Sequence, residues 1–219
     1  IDFNRLYSNL IIVIIIYILQ MKISIISTSH QKASQSKRIS LILKNFFKET
    51  NSKVKCFNID VFDLNVPLWT SEKKNNLKFW NEDFKKISSN LSSSDGFVFV
   101  VPEYGGMATP NAKNFFLVFN NGELFHKPGL IVSISSGNGG AYPISELRSS
   151  SYKNSHILWI PENIIIRNVK QFFPGKHGEL IPDWLDDRIK YSCNVLIKYA
   201  EYLKPIQRII NRKDFGNGM

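Results

Sequence analysis

Five apolar runs of strand length recur along the chain, and each is followed by a longer stretch with helical character. The runs are residues 22–27, 53–59, 96–101, 129–135 and 156–160. Helices are predicted over residues 34–50, 76–91, 144–152 and 183–203, and from about Asn111. Nearly continuous apolar runs are typical of parallel strands that are buried on both faces. Alternating strands and helices predict an α/β fold with a doubly wound parallel sheet and helices on both faces.

The length and the ends of the chain set its predicted domain organisation. With 219 residues, one α/β domain is a better expectation than two, and we assign it to residues 21–204. Residues 1–20 include the apolar run 10–19, which is shorter than the roughly 20 residues of a membrane-spanning helix. We therefore predict an N-terminal extension outside the functional domain, with no stable membrane insertion. Residues 205–219 are predicted to be a basic C-terminal tail.

The overall composition narrows the choice of ligand and compartment. An excess of 28 Lys and Arg over 18 Asp and Glu favours phosphate-bearing ligands. Nucleic acid is disfavoured, because the basic residues form neither a run nor a motif with interleaved aromatic residues. The two cysteines, Cys56 and Cys193, and the four histidines show no metal-ligand or disulfide spacing. We therefore expect no metal site and a cytoplasmic location.

The loop after the first strand has the composition of an anion-binding site. Residues 27–36 contain four serines, a threonine and two glutamines, and they lead directly into the first helix. The N-terminus of a helix favours an anion, and the hydroxyl groups suit a phosphate monoester. A serine-rich helix cap without a ligand would read the same way. Neither GxGxxG nor GxxxxGK[ST] is present, so the pattern is not that of a dinucleotide fold or a P-loop.

Two further loops follow the third and fourth strands. Pro102 is predicted to end the ladder of the third strand, because it has no N–H to donate. Gly105 and Gly106 permit unusual backbone conformations, and Pro110 suits the first turn of the next helix. Residues 135–143 are small and rich in backbone donors. Ligands of such sheets bind beyond the carboxyl ends of the strands, where the strand order reverses. The three loops together therefore predict a site for a phosphorylated, planar ligand, although ordinary connections between strands and helices remain an alternative.

In these loops the sequence resembles the NAD(P)H-dependent FMN reductases, a flavodoxin-like group that includes quinone, azo-dye and chromate reductases. Residues 28–36 have the layout of the G-S-x-R-x-x-S-x-S signature. Residues 102–114 are similar to the segment P-E-Y-N-G-x-x-P-x-x-L-K-N, with matches at Pro102, Glu103, Tyr104, Gly106, Lys113 and Asn114. Residues 59–69 and 135–148 are also similar to the family. The resemblance covers about residues 21–200.

The resemblance implies a flavodoxin-like sheet of five parallel strands in the order 2-1-3-4-5, with FMN bound at the switch point. Its phosphate would contact Ser29, Gln31, Ser34, Gln35 and Ser36. Its ring would lie between two sets of residues: Pro102, Glu103, Tyr104, Gly105 and Gly106 on one side, and Ser136, Gly137, Asn138 and Gly139 on the other. Hydride would pass from NADPH or NADH to flavin N5, and electrons would leave to a small-molecule acceptor such as a quinone or a flavin. The resemblance implies no catalytic side chain. It also implies that the protein forms a homodimer or a homotetramer.

Three positions depart from the family pattern: Thr28 replaces a glycine, Gln31 an arginine, and Gly105 an asparagine. Loss of a charged phosphate contact costs about 1.5–3 kcal/mol, so weaker FMN binding is expected. Lys32, Lys37 and Arg38 are candidates to replace the charge. These departures keep open an alternative, a non-catalytic flavodoxin-like protein that binds a flavin or a protein partner. Turnover of NADPH with menadione would separate the two functions.

Overall fold

The computed structural model describes residues 20–72, 78–172 and 181–211, and within them the predicted parallel sheet is present. Its strands are β1 (Met21–Ser27), β2 (Val54–Asp60), β3 (Gly96–Tyr104), β5 (Pro128–Ile134) and β6 (Leu158–Ile166). They pair in the order β2-β1-β3-β5-β6. A two-residue strand, β4 (Met107–Ala108), pairs antiparallel with the end of β3. Counted over the parallel strands alone, this is the predicted order 2-1-3-4-5, and the flavodoxin-like fold is confirmed.

Helices cover both faces of the sheet, as predicted. They are α1 (Gln35–Thr50), α2 (Phe84–Ser92) with a preceding π-helical turn (Phe79–Asp83), α3 (Pro110–Val118), α4 (Tyr142–Ser150), α5 (Tyr152–Ser155), α6 (Val169–Phe172) and α7 (Asp183–Ile209). On one face, α1 and α7 pack their apolar side chains against Val98 and Val100 of β3. On the other face, α2, α3 and α4 pack against Phe97, Phe99 and Val101. Strand β3 is thus the centre of both core layers.

Three elements extend beyond their predicted ends, at residues 101, 160 and 203, and each contains a proline beyond that point. Strand β3 continues to Tyr104, but its parallel ladder with β5 ends at Pro102, as predicted. Pro102 pairs with Ile134, the last residue of β5, and its missing N–H therefore lies at the end of the ladder. Strand β6 continues past Pro161, which lies in a register shift on an edge strand. Helix α7 contains Pro205 and ends at Ile209, because one lost hydrogen bond does not outweigh the rest of a long helix.

Some predictions concern residues outside the described ranges. Residues 1–19 lie outside them, so the proposed N-terminal extension stays a prediction. The proposed tail, residues 205–219, begins within α7, and residues 212–219 are not among those described. The predicted helix 76–91 starts in an undescribed stretch, residues 73–77. Of the helices described, none is both long enough and apolar enough to cross a membrane.

Candidate functional site

A cleft of about 400 Å³ lies at the carboxyl edge of the sheet, beside the point between β1 and β3 where the strand order reverses. Four segments form it: the loop after β1, the end of β3, the loop after β5, and α6. Its lining residues are Gln31, Ala33, Ser34, Gln35, Pro102, Glu103, Tyr104, Ile134, Ser135, Ser136, Gly137, Val169 and Lys170. The three loops singled out in the sequence therefore meet at one site.

The predicted ligand-binding residues divide into two groups. Eight of them line the cleft: Gln31, Ser34, Gln35, Pro102, Glu103, Tyr104, Ser136 and Gly137. Six lie in the same loops or at the start of α1 without lining the cleft: Ser29, Ser36, Gly105, Gly106, Asn138 and Gly139. The second group carries much of the hydrogen bonding and the turn geometry that hold the loops in position.

The loop after β1 is held by its own hydroxyl groups. The Ser29 hydroxyl accepts from the Gln31 N–H at 3.0 Å and bonds the Tyr104 hydroxyl at 3.0 Å. Ser34 caps helix α1 by accepting from the Lys37 N–H at 3.1 Å, and it contacts the buried Ser36 hydroxyl at 3.1 Å. These hydrogen bonds hold serine hydroxyl groups in place at the N-terminus of α1 and beside the cleft. Fixed polar groups at a helix N-terminus favour the binding of an anion.

Thr28, which replaces the signature glycine, is fully buried and does not line the cleft. Its side chain donates to the Val100 carbonyl at 3.2 Å, and its own carbonyl accepts from the Thr109 hydroxyl at 2.7 Å. Thr109 also caps helix α3, which begins at Pro110 as predicted. The threonine therefore joins the first loop to α3 without obstructing the cleft.

The two glycines after Tyr104 form the turn of a β-hairpin. Tyr104 pairs with Met107, and Gly105 and Gly106 between them have φ values of +60° and +76°. Positive φ at both central residues is the geometry that two-residue hairpins favour, and glycine adopts it without strain. The hairpin holds Tyr104 at the cleft, where its ring also packs edge-on against His30 at 5.0 Å between centroids.

Two glutamates tie the hairpin region to helix α4. The Glu103 carboxylate accepts from the N–H groups of Gly140 at 2.6 Å and Tyr142 at 3.2 Å, at the start of α4. In the reverse direction, Glu146 of α4 accepts from the Ala108 N–H and from Lys113. Burial works to raise the pKa of Glu146, but these two donors hold it below its ordinary value.

The loop after β5 is anchored on the connection that follows β6. The Gly137 carbonyl accepts from the Asn168 N–H at 2.9 Å, and the Asn138 carbonyl accepts from Arg167 Nε at 2.7 Å. Gly139 lies so close to Glu103 that a Cβ added there would be 2.3 Å from Oε1. A Cβ added at Gly137 would meet nothing within 4 Å, so this residue leaves open space toward the cleft.

Asn114, which matches the family segment, positions the loop that follows β2. Its side-chain amide donates to the Pro67 carbonyl at 2.9 Å and accepts from the Trp69 N–H at 2.8 Å. The loop held in this way exposes Leu68 and Trp69 to solvent. Both ends of the Asn114 amide are therefore used to fix backbone, which explains why this residue type suits the position.

The predicted replacements for the missing arginine are not in the cleft. Lys37 pairs with Asp63, whose carboxylate raises the pKa of that ammonium, and Arg38 donates to Gln35 Oε1. Lys32 is exposed and does not line the cleft. Among the described lining residues, Lys170 is the one basic side chain, and the sequence prediction missed it.

Lys170 was missed because the fifth strand was predicted to end at residue 160, whereas β6 ends at Ile166. Residues 167–170 therefore follow the carboxyl end of a strand, where ligands bind. The apolar run Ile164–Ile166 just before them is the sequence feature that indicates a longer strand and hence a site residue after it. The other lining residues outside the prediction are Ala33, Ile134, Ser135 and Val169.

The described ranges contain neither a cluster of metal-ligating side chains nor a reactive cysteine. No group of three or more His, Cys, Asp or Glu side chains there could hold a metal ion. Burial raises the pKa of the Cys56 thiol to about 11 and also raises that of Cys193, which lies in the core. Both cysteines are free thiols without a nucleophile's environment.

Comparisons with solved structures show the same α/β fold in known proteins. The fold resembles a solved NADH:FMN oxidoreductase (EMOB, apo form) with a TM-score of 0.68 and 16% identity, over 86% of this chain and 94% of that one. It also resembles the flavoenzyme FerB, an NAD(P)H:(acceptor) oxidoreductase from Paracoccus denitrificans, with a TM-score of 0.66 and 14% identity over 84% and 98%. An archaeal flavodoxin matches with a TM-score of 0.50 and 13% identity over 84% and 99%. A comparison with curated proteins finds no significant match.

The fold thus defines a flavodoxin-like protein, with a cleft at the switch point of its sheet. The model of the NADPH-dependent FMN reductase family matches residues 21–171, which are more than half of the chain. This chain therefore belongs to the NADPH-dependent FMN reductase family, and its class is that of the flavin oxidoreductases.

Proposed function

We propose that this chain binds FMN in the cleft, takes electrons from NADPH or NADH, and passes them to a quinone, a flavin or a similar small-molecule acceptor. The observation that carries the proposal is the meeting of three loops at the switch point of the sheet, with a helix N-terminus at one wall. Residues of all three loops that resemble the family line this one cleft.

The residues present fit FMN in size and chemistry. A volume of about 400 Å³ lies within the range of small-molecule sites. Ser34 and Gln35 at the start of α1 would hold the phosphate, and Pro102 to Tyr104 would lie against the ring. Gly137, with open space at its Cα, would allow a ring to approach the backbone. When bound, FMN would supply the redox chemistry, accepting hydride from a nicotinamide and passing electrons on.

The protein's own contribution is positioning. The positive end of the α1 dipole favours the phosphate, and backbone N–H groups of the loops supply donors to the ring edge. Glu103 and Glu146 hold the hairpin and α4 at a fixed separation, so the walls are formed before the ligand binds. No side chain of this set needs to act as an acid or a base.

Exposed apolar side chains support a homo-oligomer. They lie on the hairpin after β3, on α3 and α4, and in the loop held by Asn114, and they are Leu68, Trp69, Met107, Leu117 and Tyr142. Exposed apolar surface is typical of an interaction surface. We propose that a second copy of the chain covers these side chains.

The free cysteines suit the reducing cytoplasm, which we propose as the compartment of this protein.

Steady-state oxidation of NADPH and NADH by the FMN-loaded protein, with menadione as acceptor, tests this function. We expect turnover with one or both nicotinamides that depends on added protein and on FMN. FMN binding without turnover above free FMN would contradict the enzymatic proposal and favour a non-catalytic flavin-binding protein.

A further inference from the structure

The charges around the cleft differ from those that the family pattern implies. On the wall formed by the loop after β1, the lining residues Gln31, Ser34 and Gln35 are all neutral. Among the described lining residues the charged ones are Glu103 and Lys170. Glu103 already accepts two N–H groups. A ligand phosphate in this cleft therefore has one ammonium available to it, on α6.

Helix α6 is held on the same face of the sheet as α1. The Val169 N–H donates to the Ser135 carbonyl at 3.0 Å, which ties α6 to the loop after β5. Val169 is 1% exposed and belongs to the same apolar cluster as Ile39 and Leu43 of α1. Lys170, the next residue of α6, lines the same cleft as Ser34 and Gln35 at the start of α1.

Lys170 is exposed, and it forms no hydrogen bond or ion pair with any residue of the described ranges. Lys37 and Arg38, by contrast, pair with Asp63 and Gln35. Within the described part of the chain, Lys170 therefore differs from these two basic residues of α1 in lining the cleft without a partner.

We propose that Lys170 provides the positive charge for the phosphate of the bound flavin nucleotide, in the role that the family gives to an arginine at position 31. The inference rests on the proposed FMN binding. An ammonium on a flexible stem acts as a point charge, whereas a guanidinium forms a fixed fork, so the contact depends on charge more than on geometry. It follows that Lys170 distinguishes FMN from riboflavin, which lacks the phosphate.

The test is the dissociation constant of FMN and of riboflavin, measured by quenching of flavin fluorescence in the full chain. We expect Lys170→Gln to weaken FMN binding about tenfold and to leave riboflavin binding unchanged within about twofold. Lys170→Arg retains the charge and is expected to bind FMN like the wild type. Lys32→Gln is the matched control, because it removes the same charge from an exposed residue outside the cleft.

A restoring variant adds a second test. In the double variant Gln31→Arg with Lys170→Gln, the charge returns on the loop after β1, and FMN affinity is expected to recover. Unchanged FMN binding in Lys170→Gln would overturn the inference while leaving the proposed function intact. An equal loss of affinity for FMN and riboflavin in Lys170→Gln would also overturn the inference and leave the proposed function intact. So would a loss of FMN affinity that occurs only in Lys32→Gln. A wild-type chain that binds neither flavin would overturn the proposed function and this inference together.

Discussion

At the scale of single residues, the cleft depends on side chains that face one another across loops. Glu103 and Glu146 reach in opposite directions between the hairpin and α4, and each accepts backbone N–H groups of the other segment. Charge-assisted hydrogen bonds of this kind are stronger than those between neutral groups. The glutamate of the family segment therefore has a structural task here besides lining the cleft.

A pair of glycine substitutions tests the Glu103 contact. In Gly139→Ala the new Cβ would lie 2.3 Å from Glu103 Oε1 and displace the carboxylate from its two donors. We expect the free energy of unfolding to fall by about 1–3 kcal/mol. Gly137→Ala is the control, because its Cβ meets nothing within 4 Å. Urea denaturation measures both, and equal effects of the two substitutions would contradict this view of Glu103.

The buried Lys127 predicts a dependence of stability on pH. Its ammonium donates to the carbonyls of Leu91, Ser92 and Glu123, and burial lowers its pKa from 10.5 to about 8. Between these values the unfolded chain keeps a proton that the folded chain has lost. This group's contribution to stability therefore rises with pH above about 8 and is constant below it.

We expect the free energy of unfolding to increase by about 1–2 kcal/mol between pH 7.5 and 9.5 through Lys127. Urea denaturation of the wild type and of Lys127→Met at both pH values isolates this term, since other titrating groups are common to both. A difference between the two proteins that stays constant with pH would contradict the lowered pKa.

At the scale of elements, the sequence predicts the strands and helices that have a regular apolar pattern. It places the ends of three elements too early, each shortly before a proline. The runs 96–101 and 129–135 mark β3 and β5 to within three residues, because these strands are buried on both faces. The end of β6 was not predictable in the same way. The predicted strand ends at residue 160, just before Pro161. In the structure Pro161 lies in a register shift, where backbone carbonyls accept hydrogen bonds from a side chain of α4.

That side chain is Arg148, and its replacement tests the element. Arg148 Nη2 donates to the carbonyls of Ile160 at 2.6 Å and Pro161 at 3.0 Å. We expect Arg148→Met to lower the free energy of unfolding by about 1–3 kcal/mol, because the carbonyl of the buried Ile160 loses its donor. Lys153→Met, which removes a charge from an exposed residue of α5, is the control for net charge. Denaturation curves of the two variants that coincide would contradict the role of Arg148.

At the scale of the whole molecule, topology brings together what the sequence keeps apart. Loop positions such as Gln31, Tyr104 and Gly137 could be predicted to share one site, because parallel strands end at the same edge. The side chains that face the cleft could not be predicted, because hydrogen bonds between the loops determine their orientation. The Ser29 hydroxyl bonds Tyr104, and Lys170 lies on α6, which the sequence analysis does not predict because it ends the preceding strand at residue 160.

The central claim is that FMN binds in this cleft, and the visible absorption spectrum of the desalted protein tests it most directly. The full chain and its Gly137→Val variant would be mixed with FMN and desalted side by side. We expect the wild type to retain about one flavin per chain and the variant to lose it, with equal unfolding midpoints, because Gly137 has open space around it. A colourless wild type, or equal retention by both proteins, would contradict the claim.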